Sequence, residues 1–322
     1  MKATLTAVVV IATGLPLGGI HAAERSSAIT PSPPTLYSEV PGAPEMEPWS
    51  EAPVWRDGEV FFANRPFVRV TKDGQPLKFL NLHVAGTFLR ANGHLLACEH
   101  FHKALLDLAP DGTVRVVADR DEQGRPLRGL NDVTADAAGK VYWTDPTGSG
   151  VATPTGRVYR VTPAGRVERL ADNLAFPNGL EVDPASQFLY VVESQTKKVL
   201  RYALPAAGQK LGMSEMFFDF GPDSSGGDGL CFDAAGNLWI TEFSRKTGGG
   251  RVVVVSPDGK LLGEVKPDAR LVTNIAFGGA ANDELFISTG GPSGIFHAQA
   301  GVPGFRGHPV PELVLGRTLA LA

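Results

Sequence analysis

Four positions of the sequence carry an amide or a carboxylate at the start of a short apolar run, and such side chains can bind a cation or activate water. Asn131, Asn178 and Asp228 open the strings NDVTADAAGKVYWTD, NGLEVDPASQFLYVVE and DGLCFDAAGNLWITEF, and Asn274 opens a looser copy. Successive lead residues are 47, 50 and 46 positions apart. Each string reads as a strand, a tight turn and a second strand, so each predicts a β-hairpin with a polar residue at its mouth.

This spacing is the period of a repeat architecture. Four-stranded propeller blades are the all-β unit of about that length. Six such units fit between Ser50 and the C-terminus, and the last begins near Asn274 with 309–316 as a candidate edge strand. The sequence therefore predicts an all-β fold over residues 48–322, a six-bladed β-propeller with four-stranded antiparallel blades.

Radial repetition places one repeat position at the same height in every blade. Glu51, in the string SEAPVW, opens the first blade and is expected to ring one mouth of the central channel with Asn131, Asn178, Asp228 and Asn274. Asn-Gly and Asp-Gly pairs are also ordinary turn formers, but Glu51 lies in no turn motif. Crowded carboxylates repel one another without a cation, and carboxylate and amide oxygens suit a hard one. Calcium is the expected ion, with zinc, magnesium or manganese as alternatives.

The N-terminal residues predict export. Residues 1–22 have a basic start, an apolar run and small residues at a cleavage point, which is typical of a secretory signal peptide. A retained anchor would need about 20 continuous apolar residues, and Pro16 with nearby glycines interrupts the run. Residues 23–47 are rich in Pro and Ser and are expected to form an extended tail. The predicted location is periplasmic or secreted, with no stable membrane span after cleavage.

Composition limits the possible partners. The formal net charge is −4 and the pI is about 6.0, so no basic face for nucleic acid is expected. The two cysteines, Cys98 and Cys231, fall in opposite blades of the predicted propeller, and we expect both to be buried free thiols rather than a disulfide.

Five strings together carry a resemblance to a known family. SEAPVW, GLNDVTADAAGKVYWTDP, FPNGLEVD, GGDGLCFDAAGNLWITEF and TNIAFGG, in this order and spacing, resemble the gluconolactonase and regucalcin (senescence marker protein) family, which includes luciferin-regenerating enzyme. The CEH string at Cys98 to His100 is similar to the bacterial gluconolactonase branch. The resemblance covers nearly all of the chain after the tail and implies a six-bladed propeller that binds one divalent cation and hydrolyses sugar lactones.

The resemblance also implies roles for individual residues. Glu51, Asn178 and Asp228 match the family's metal ligands, Asp228 also matches the proposed base, and Asn131 matches a substrate-side residue. Gly129 stands where the animal proteins place a substrate-binding Arg, so Arg128 is a candidate substitute. Further candidates to reach the substrate follow the inner hairpin of the second blade, and each could instead lie in a solvated blade connection: Glu99, His100 and His102.

The predicted activity follows from the chemistry of esters. Lactone hydrolysis needs a polarised carbonyl and a deprotonated water, and a divalent cation assists both, with Asp228 taking the proton. No Gly-x-Ser-x-Gly string marks a serine nucleophile. Two alternatives stay open: a non-catalytic exported propeller that binds sugars or peptides, and another propeller hydrolase of arylesterase type.

Overall fold

Six antiparallel sheets of four strands each surround a central channel, in a computed structural model that describes residues 28–39, 50–64, 66–310 and 312–321. The described residues contain 24 strands and no helix. The predicted six-bladed β-propeller with four-stranded antiparallel blades is confirmed. The predicted signal peptide at 1–22 lies outside the described residues, and no helix among the described residues is long and apolar enough to cross a membrane.

Five blades are each built from four consecutive strands. Blade 1 contains β2 (Glu51–Arg56), β3 (Glu59–Ala63), β4 (Phe67–Val70) and β5 (Pro76–Leu80). Blade 2 contains β6 (Val84–Leu89), β7 (Leu95–Glu99), β8 (Ala104–Leu108) and β9 (Val114–Ala118). Blade 3 contains β10 (Val133–Ala135), β11 (Val141–Asp145), β12 (Gly156–Val161) and β13 (Val167–Leu174). Blade 4 contains β14 (Pro177–Val182), β15 (Phe188–Glu193), β16 (Lys198–Ala203) and β17 (Glu215–Asp219). Blade 5 contains β18 (Gly227–Phe232), β19 (Leu238–Glu242), β20 (Arg251–Val255) and β21 (Leu261–Val265).

The sixth blade joins the two ends of the chain. Its inner strands are β22 (Leu271–Gly278), β23 (Glu284–Gly290) and β24 (Gly294–Gln299), and its outermost strand is β1 (Thr35–Glu39). β1 runs antiparallel to β24, with Leu36 opposite Phe296. Part of the segment predicted to be a tail therefore belongs to the propeller. The candidate edge strand at 309–316 forms no strand in its described part, because β1 already occupies that edge of the blade.

Burial explains the strand pattern along each blade. The second strands of blades 2, 3 and 5 are buried at every position because neighbouring blades cover both faces. Outermost strands such as Glu215–Asp219 are largely exposed. The hairpin turns follow their sequence, since Asp136 Oδ1 accepts the backbone N–H groups of Ala138 and Lys140 at 2.9 Å, and Gly139 adopts a φ of 73°.

The two cysteines are free thiols in blades 2 and 5, as predicted. Cys98 is buried, whereas Cys231 is only partly buried because it lines a cavity in the channel.

Candidate active site at the channel mouth

The first strand of most blades carries a β-bulge where its chain reaches the channel mouth. The register of pairing shifts between Glu51 and Val54, between Pro177 and Leu180, and between Gly227 and Leu230. A bulge re-aims the side chain of the extra residue and is common beside active sites. Asn178 and Asp228 lie within these bulges and face the mouth, whereas Glu51 pairs with Ala63 directly before the bulge of its strand.

Four predicted site residues line one cavity of about 330 Å³ at this mouth: Glu51, Asn131, Asn178 and Asp228. They come from blades 1, 3, 4 and 5, so the propeller brings together residues far apart in sequence. Six further residues, which the sequence did not indicate as site residues, line the same cavity: Phe176, Ser194, Gln195, Ser225, Gly227 and Phe243.

Asn274 does not belong to this ring, and its prediction as a lead residue was wrong. It lines a different cavity inside the channel, and its Oδ1 accepts the backbone N–H of Ile275 at 2.8 Å. Its neighbour Thr273 is the extra residue of the bulge in β22, and it donates its hydroxyl to Ser50 O at 2.5 Å, which ties blade 6 to blade 1. A shift of one residue moves a side chain to the other face of a strand, and the looser sixth repeat conceals that shift in the sequence.

The amide of Asn178 is oriented by a neighbouring serine. Its Nδ2 donates to Ser194 Oγ at 3.0 Å, and Ser194 Oγ donates to Gly227 O at 2.7 Å. Asn178 is only 8% exposed, and its Oδ1 is buried without a hydrogen-bond partner. A buried amide oxygen without a donor is costly. A bound cation would satisfy it.

The carboxyl of Asp228 is buried beside this amide. Burial raises the pKa of Asp228 well above its ordinary value, the Asp132 carboxylate raises it further, and a hydrogen bond from Asn178 lowers it in part. Desolvation therefore favours the neutral acid. A cation at this position would favour the carboxylate.

The side chains of this cavity offer oxygen donors for a divalent cation. Among the described residues, no three His, Cys, Asp or Glu side chains are grouped to hold a metal ion. The predicted ligands comprise only two carboxylates, Glu51 and Asp228, and the partnerless Asn178 oxygen adds a third hard donor in the same cavity. Oxygen donors of this kind fit calcium or a similar hard cation.

Two of the predicted substrate-binding residues are held by contacts within blade 2. Glu99 is 0% exposed, and its carboxylate accepts the backbone N–H of His83 at 3.0 Å and contacts His102 Nδ1 at 2.9 Å. The His100 ring lies 5.2 Å from the His83 ring. Neither Glu99 nor His100 lines the cavity of about 330 Å³, and their role in substrate binding stays a prediction that these contacts do not favour.

Arg128 also points elsewhere. Its Nη2 donates to Thr155 O at 2.7 Å, and its Nε lies 3.6 Å from Asp145 Oδ2. Gly129, where the animal relatives carry an Arg, packs against Thr147 and His100. The predicted substitution of that Arg by Arg128 therefore finds no support in its contacts.

A second group of carboxyls lies deeper in the channel. Asp132 and Glu181 line a cavity of about 200 Å³, and Thr134 donates its hydroxyl to Glu181. Desolvation raises the pKa of Asp132 to about 7 and that of Glu181 to about 8. In the sequence, Asp132 directly follows the lead residue Asn131, and Glu181 comes three positions after the lead residue Asn178.

Comparison with known proteins places this geometry in a family. The protein-family model described as "SMP-30/Gluconolactonase/LRE-like region" matches residues 49–291 of the chain. A pentonolactonase of Haloferax volcanii is 33% identical over 217 residues, covering 66% of this chain and 68% of that protein. The chain therefore belongs to the SMP-30/gluconolactonase/LRE-like family.

Solved structures agree with this assignment. A gluconolactonase from Xanthomonas campestris superposes with a TM-score of 0.66 and 25% identity, covering 89% of this chain and 99% of that one. A calcium-binding regucalcin from Agrobacterium tumefaciens gives the same TM-score at 19% identity, also over 89% and 99% of the two chains. At that level of identity the second likeness supports the fold alone.

Proposed function

We propose that this protein is a divalent-metal-dependent hydrolase that opens sugar lactones. Its family includes lactonases, and several of its relatives are named for that activity: a pentonolactonase, a 6-deoxy-6-sulfogluconolactonase and a gluconolactonase. The observation that carries the metal site is the convergence of Glu51, Asn178 and Asp228 on one cavity, with the Asn178 oxygen lacking a donor. Calcium is the proposed ion, because the proposed ligands are all oxygen donors.

The residues of the site divide the chemistry among them. When bound, the cation would polarise the lactone carbonyl and make water easier to deprotonate. Asp228 takes the proton as water adds to the carbonyl carbon, and it returns the proton to the ring oxygen as the ring C–O bond breaks. Asn131 lines the same cavity, and its proposed role is to donate a hydrogen bond to the carbonyl or to a ring hydroxyl.

A lactone panel with and without chelator tests this function. Five- and six-membered aldonolactones should be hydrolysed by the calcium-loaded protein, and stripping the metal should abolish turnover and lower the melting temperature, because a ligand that binds only the folded state stabilises it. Restoring calcium should restore both. Binding of lactones or sugars without any hydrolysis would instead favour the non-catalytic propeller.

We further propose that the protein is exported to the periplasm or the medium. The support is the predicted signal peptide at residues 1–22. N-terminal sequencing of the protein recovered outside the cytoplasm should give a start at Ala23 or Glu24. A soluble cytoplasmic protein that begins at Met1 would contradict this.

A further inference from the structure

We propose that the cavity selects an uncharged lactone, holds a C–H face of the lactone ring against Phe176, and rejects lactones that carry phosphate, sulfonate or carboxylate groups. This inference rests on the proposed function and names the substrate class of the same site. Its three supports are the charge of the cavity, the conformation of Phe176 and the commitments of the polar side chains around it.

The charges in the cavity disfavour an anionic ligand. Its lining includes two carboxylates, Glu51 and Asp228, and no Lys, Arg or His among the described residues. One divalent cation would bring the cavity to about zero net charge. A phosphate, sulfonate or carboxylate group on the substrate would then be buried without a counter-charge, which is costly.

The guanidinium groups nearest in sequence to the lining residues are engaged elsewhere, and the nearby Lys197 Nζ donates to Pro222 O at 3.3 Å. Arg128 donates to Thr155 O and faces Asp145. Arg245 Nε lies 3.5 Å from Glu242 Oε1. Neither of these guanidinium groups lines the cavity, so neither offers the paired hydrogen bonds by which Arg recognises phosphate or carboxylate.

Phe176 is held in a conformation that an aromatic residue rarely adopts. Its φ is 59°, in the left-handed region that favours glycine. Its N–H donates to Ser149 Oγ at 3.1 Å, and its carbonyl accepts the N–H of Ser194 at 3.2 Å. Backbone strain of this kind persists only where surrounding contacts enforce it, and it concentrates at ligand sites.

This conformation gives the Phe176 ring a place in the cavity wall. The side chain is half-buried and belongs to none of the hydrophobic clusters among the described residues, although it lines the cavity. Phe243 lines the same cavity. A ring that packs in no core cluster but faces the site offers an apolar surface for a ligand.

Three polar side chains in the lining form hydrogen bonds within the protein. Ser194 orients Asn178, Ser225 Oγ donates to Ser244 O at 3.0 Å, and Gln195 Oε1 accepts the N–H of Val151 at 3.1 Å. The wall thus combines aromatic surface with a few amide groups. This combination suits a neutral ring with a C–H face and no ionic substituent.

A matched pair of lactones tests the charge selection. D-glucono-1,5-lactone and its 6-phosphate share one ring and differ by one charged group. We expect kcat/KM of the calcium-loaded protein to be at least about 100-fold higher for the neutral lactone, because an unpaired like charge costs several kcal/mol in binding. Titration calorimetry with D-glucono-1,5-lactam and its 6-phosphate should show the same preference in Kd. Equal or tighter binding of the phosphorylated lactam would overturn the charge selection.

Phe176→Gly tests the stacking surface, since glycine accepts the left-handed φ and removes only the ring. We expect Kd for the neutral lactam and KM for the neutral lactone each to rise about 10-fold, with an unchanged calcium Kd. Ser186→Gly is the control, because Ser186 also has a positive φ, 55°, but does not line the cavity. Unchanged lactam binding in Phe176→Gly would refute the role of the ring.

Gln195→Lys tests the charge selection in the opposite direction, because it adds a cation to the lining of the cavity. It should narrow the preference for the neutral lactam over its 6-phosphate, whereas Gln195→Met should not. A preference that Gln195→Lys leaves unchanged would count against electrostatic selection. If the wild type hydrolyses no lactone, the proposed function fails, and the lactam titrations still decide between a neutral and an anionic ligand.

Discussion

At the scale of single residues, Ser194 links the two halves of the proposed metal site. It accepts a hydrogen bond from the Asn178 amide and donates one to Gly227 O, the carbonyl that directly precedes Asp228. The first bond fixes which atom of the Asn178 amide faces the cavity, and the second fixes the strand that carries Asp228. Partners of this kind orient metal ligands and set metal affinity.

Ser194→Ala should therefore weaken calcium binding by about 10–100-fold, because the Asn178 amide loses the acceptor that orients it. Titration calorimetry on chelator-treated protein measures the calcium Kd. Ser194→Thr, which keeps the hydroxyl, should recover most of the affinity. Thr196→Ala is the control, since it removes a nearby hydroxyl that donates to Glu193. An unchanged calcium Kd in Ser194→Ala would show that Ser194 is structural only.

The half-buried carboxyl of Glu181, which lines the cavity of about 200 Å³, predicts how stability depends on pH. Desolvation raises its pKa to about 8 from the ordinary 4.5, so between these values the folded protein holds a proton that the unfolded chain releases. The free energy of unfolding of the metal-free protein should fall as the pH rises from about 5 to 8. Glu181→Gln should flatten that fall and gain stability relative to the wild type at pH 9. Denaturant titrations across this range measure it, and parallel curves for the two proteins would contradict the assignment.

Some residues of the site could be predicted from the sequence, and others could not. Glu51, Asn131, Asn178 and Asp228 could be predicted because each opens a recognisable repeat and radial symmetry brings the repeats together. Phe176 and Ser194 could not, because each lies beside a motif and faces the cavity only through backbone conformation and bulge geometry. The placement of Asn274 failed for a related reason, since a bulge can shift the register by one residue without altering the hydrophobic pattern.

At the scale of elements, an acid ends the second strand of four blades: Glu99, Asp145, Glu193 and Glu242. Glu99, Asp145 and Glu193 each accept a backbone N–H from the chain that enters the first strand of their own blade, from His83, Arg128 and Ala175. These carboxylates fix the segments that lead to the channel mouth. The repeated acid at the strand end is visible in the sequence, but the sequence alone does not distinguish a structural acid from a catalytic one. The hydrogen bonds to the backbone indicate a structural role.

The outermost strand of blade 6 gives a prediction at the same scale. Tyr37 of β1 packs edge-to-face on Phe286, with ring centroids 5.5 Å apart. Tyr37→Ala should lower the free energy of unfolding by about 1–3 kcal/mol, because a half-buried ring that closes the propeller is lost. Leu36→Ala on the same strand is the control, since Leu36 is 46% exposed and should change stability little. Denaturant unfolding measures both variants. A loss of stability in Tyr37→Ala as small as that in Leu36→Ala would mean that the Tyr37 ring contributes little to closure.

At the scale of the whole molecule, the repeat period was enough to predict six blades and their order. The closure of the ring was not predictable in the same way. β1 pairs with β24 across about 260 residues, and a short strand within a Pro- and Ser-rich segment has no repeat partner that would reveal it. Local sequence patterns therefore define the blades. The pairing of β1 with β24 arises because the C-terminal part of the chain supplies only three of the four strands of blade 6 among the described residues.

The whole fold matters to function because blades 1, 4 and 5 each supply one proposed metal ligand. The channel mouth is the one place where Glu51, Asn178 and Asp228 meet. A metal-dependent lactonase therefore requires the assembled ring, and the central claim concerns Asp228, which we propose as both ligand and base.

The most direct test compares Asp228→Asn with Asn131→Ala on a neutral aldonolactone, with kcat, KM and bound calcium measured for both. Asp228→Asn keeps the size and one oxygen but removes the charge and the basic oxygen, so it should weaken calcium binding and lower kcat by about 10²–10⁴-fold even at saturating metal. Asn131→Ala should keep nearly normal calcium content and lose about 1–3 kcal/mol of transition-state stabilisation through a missing hydrogen bond. Full turnover of Asp228→Asn at saturating calcium would contradict the assignment of Asp228 as the base.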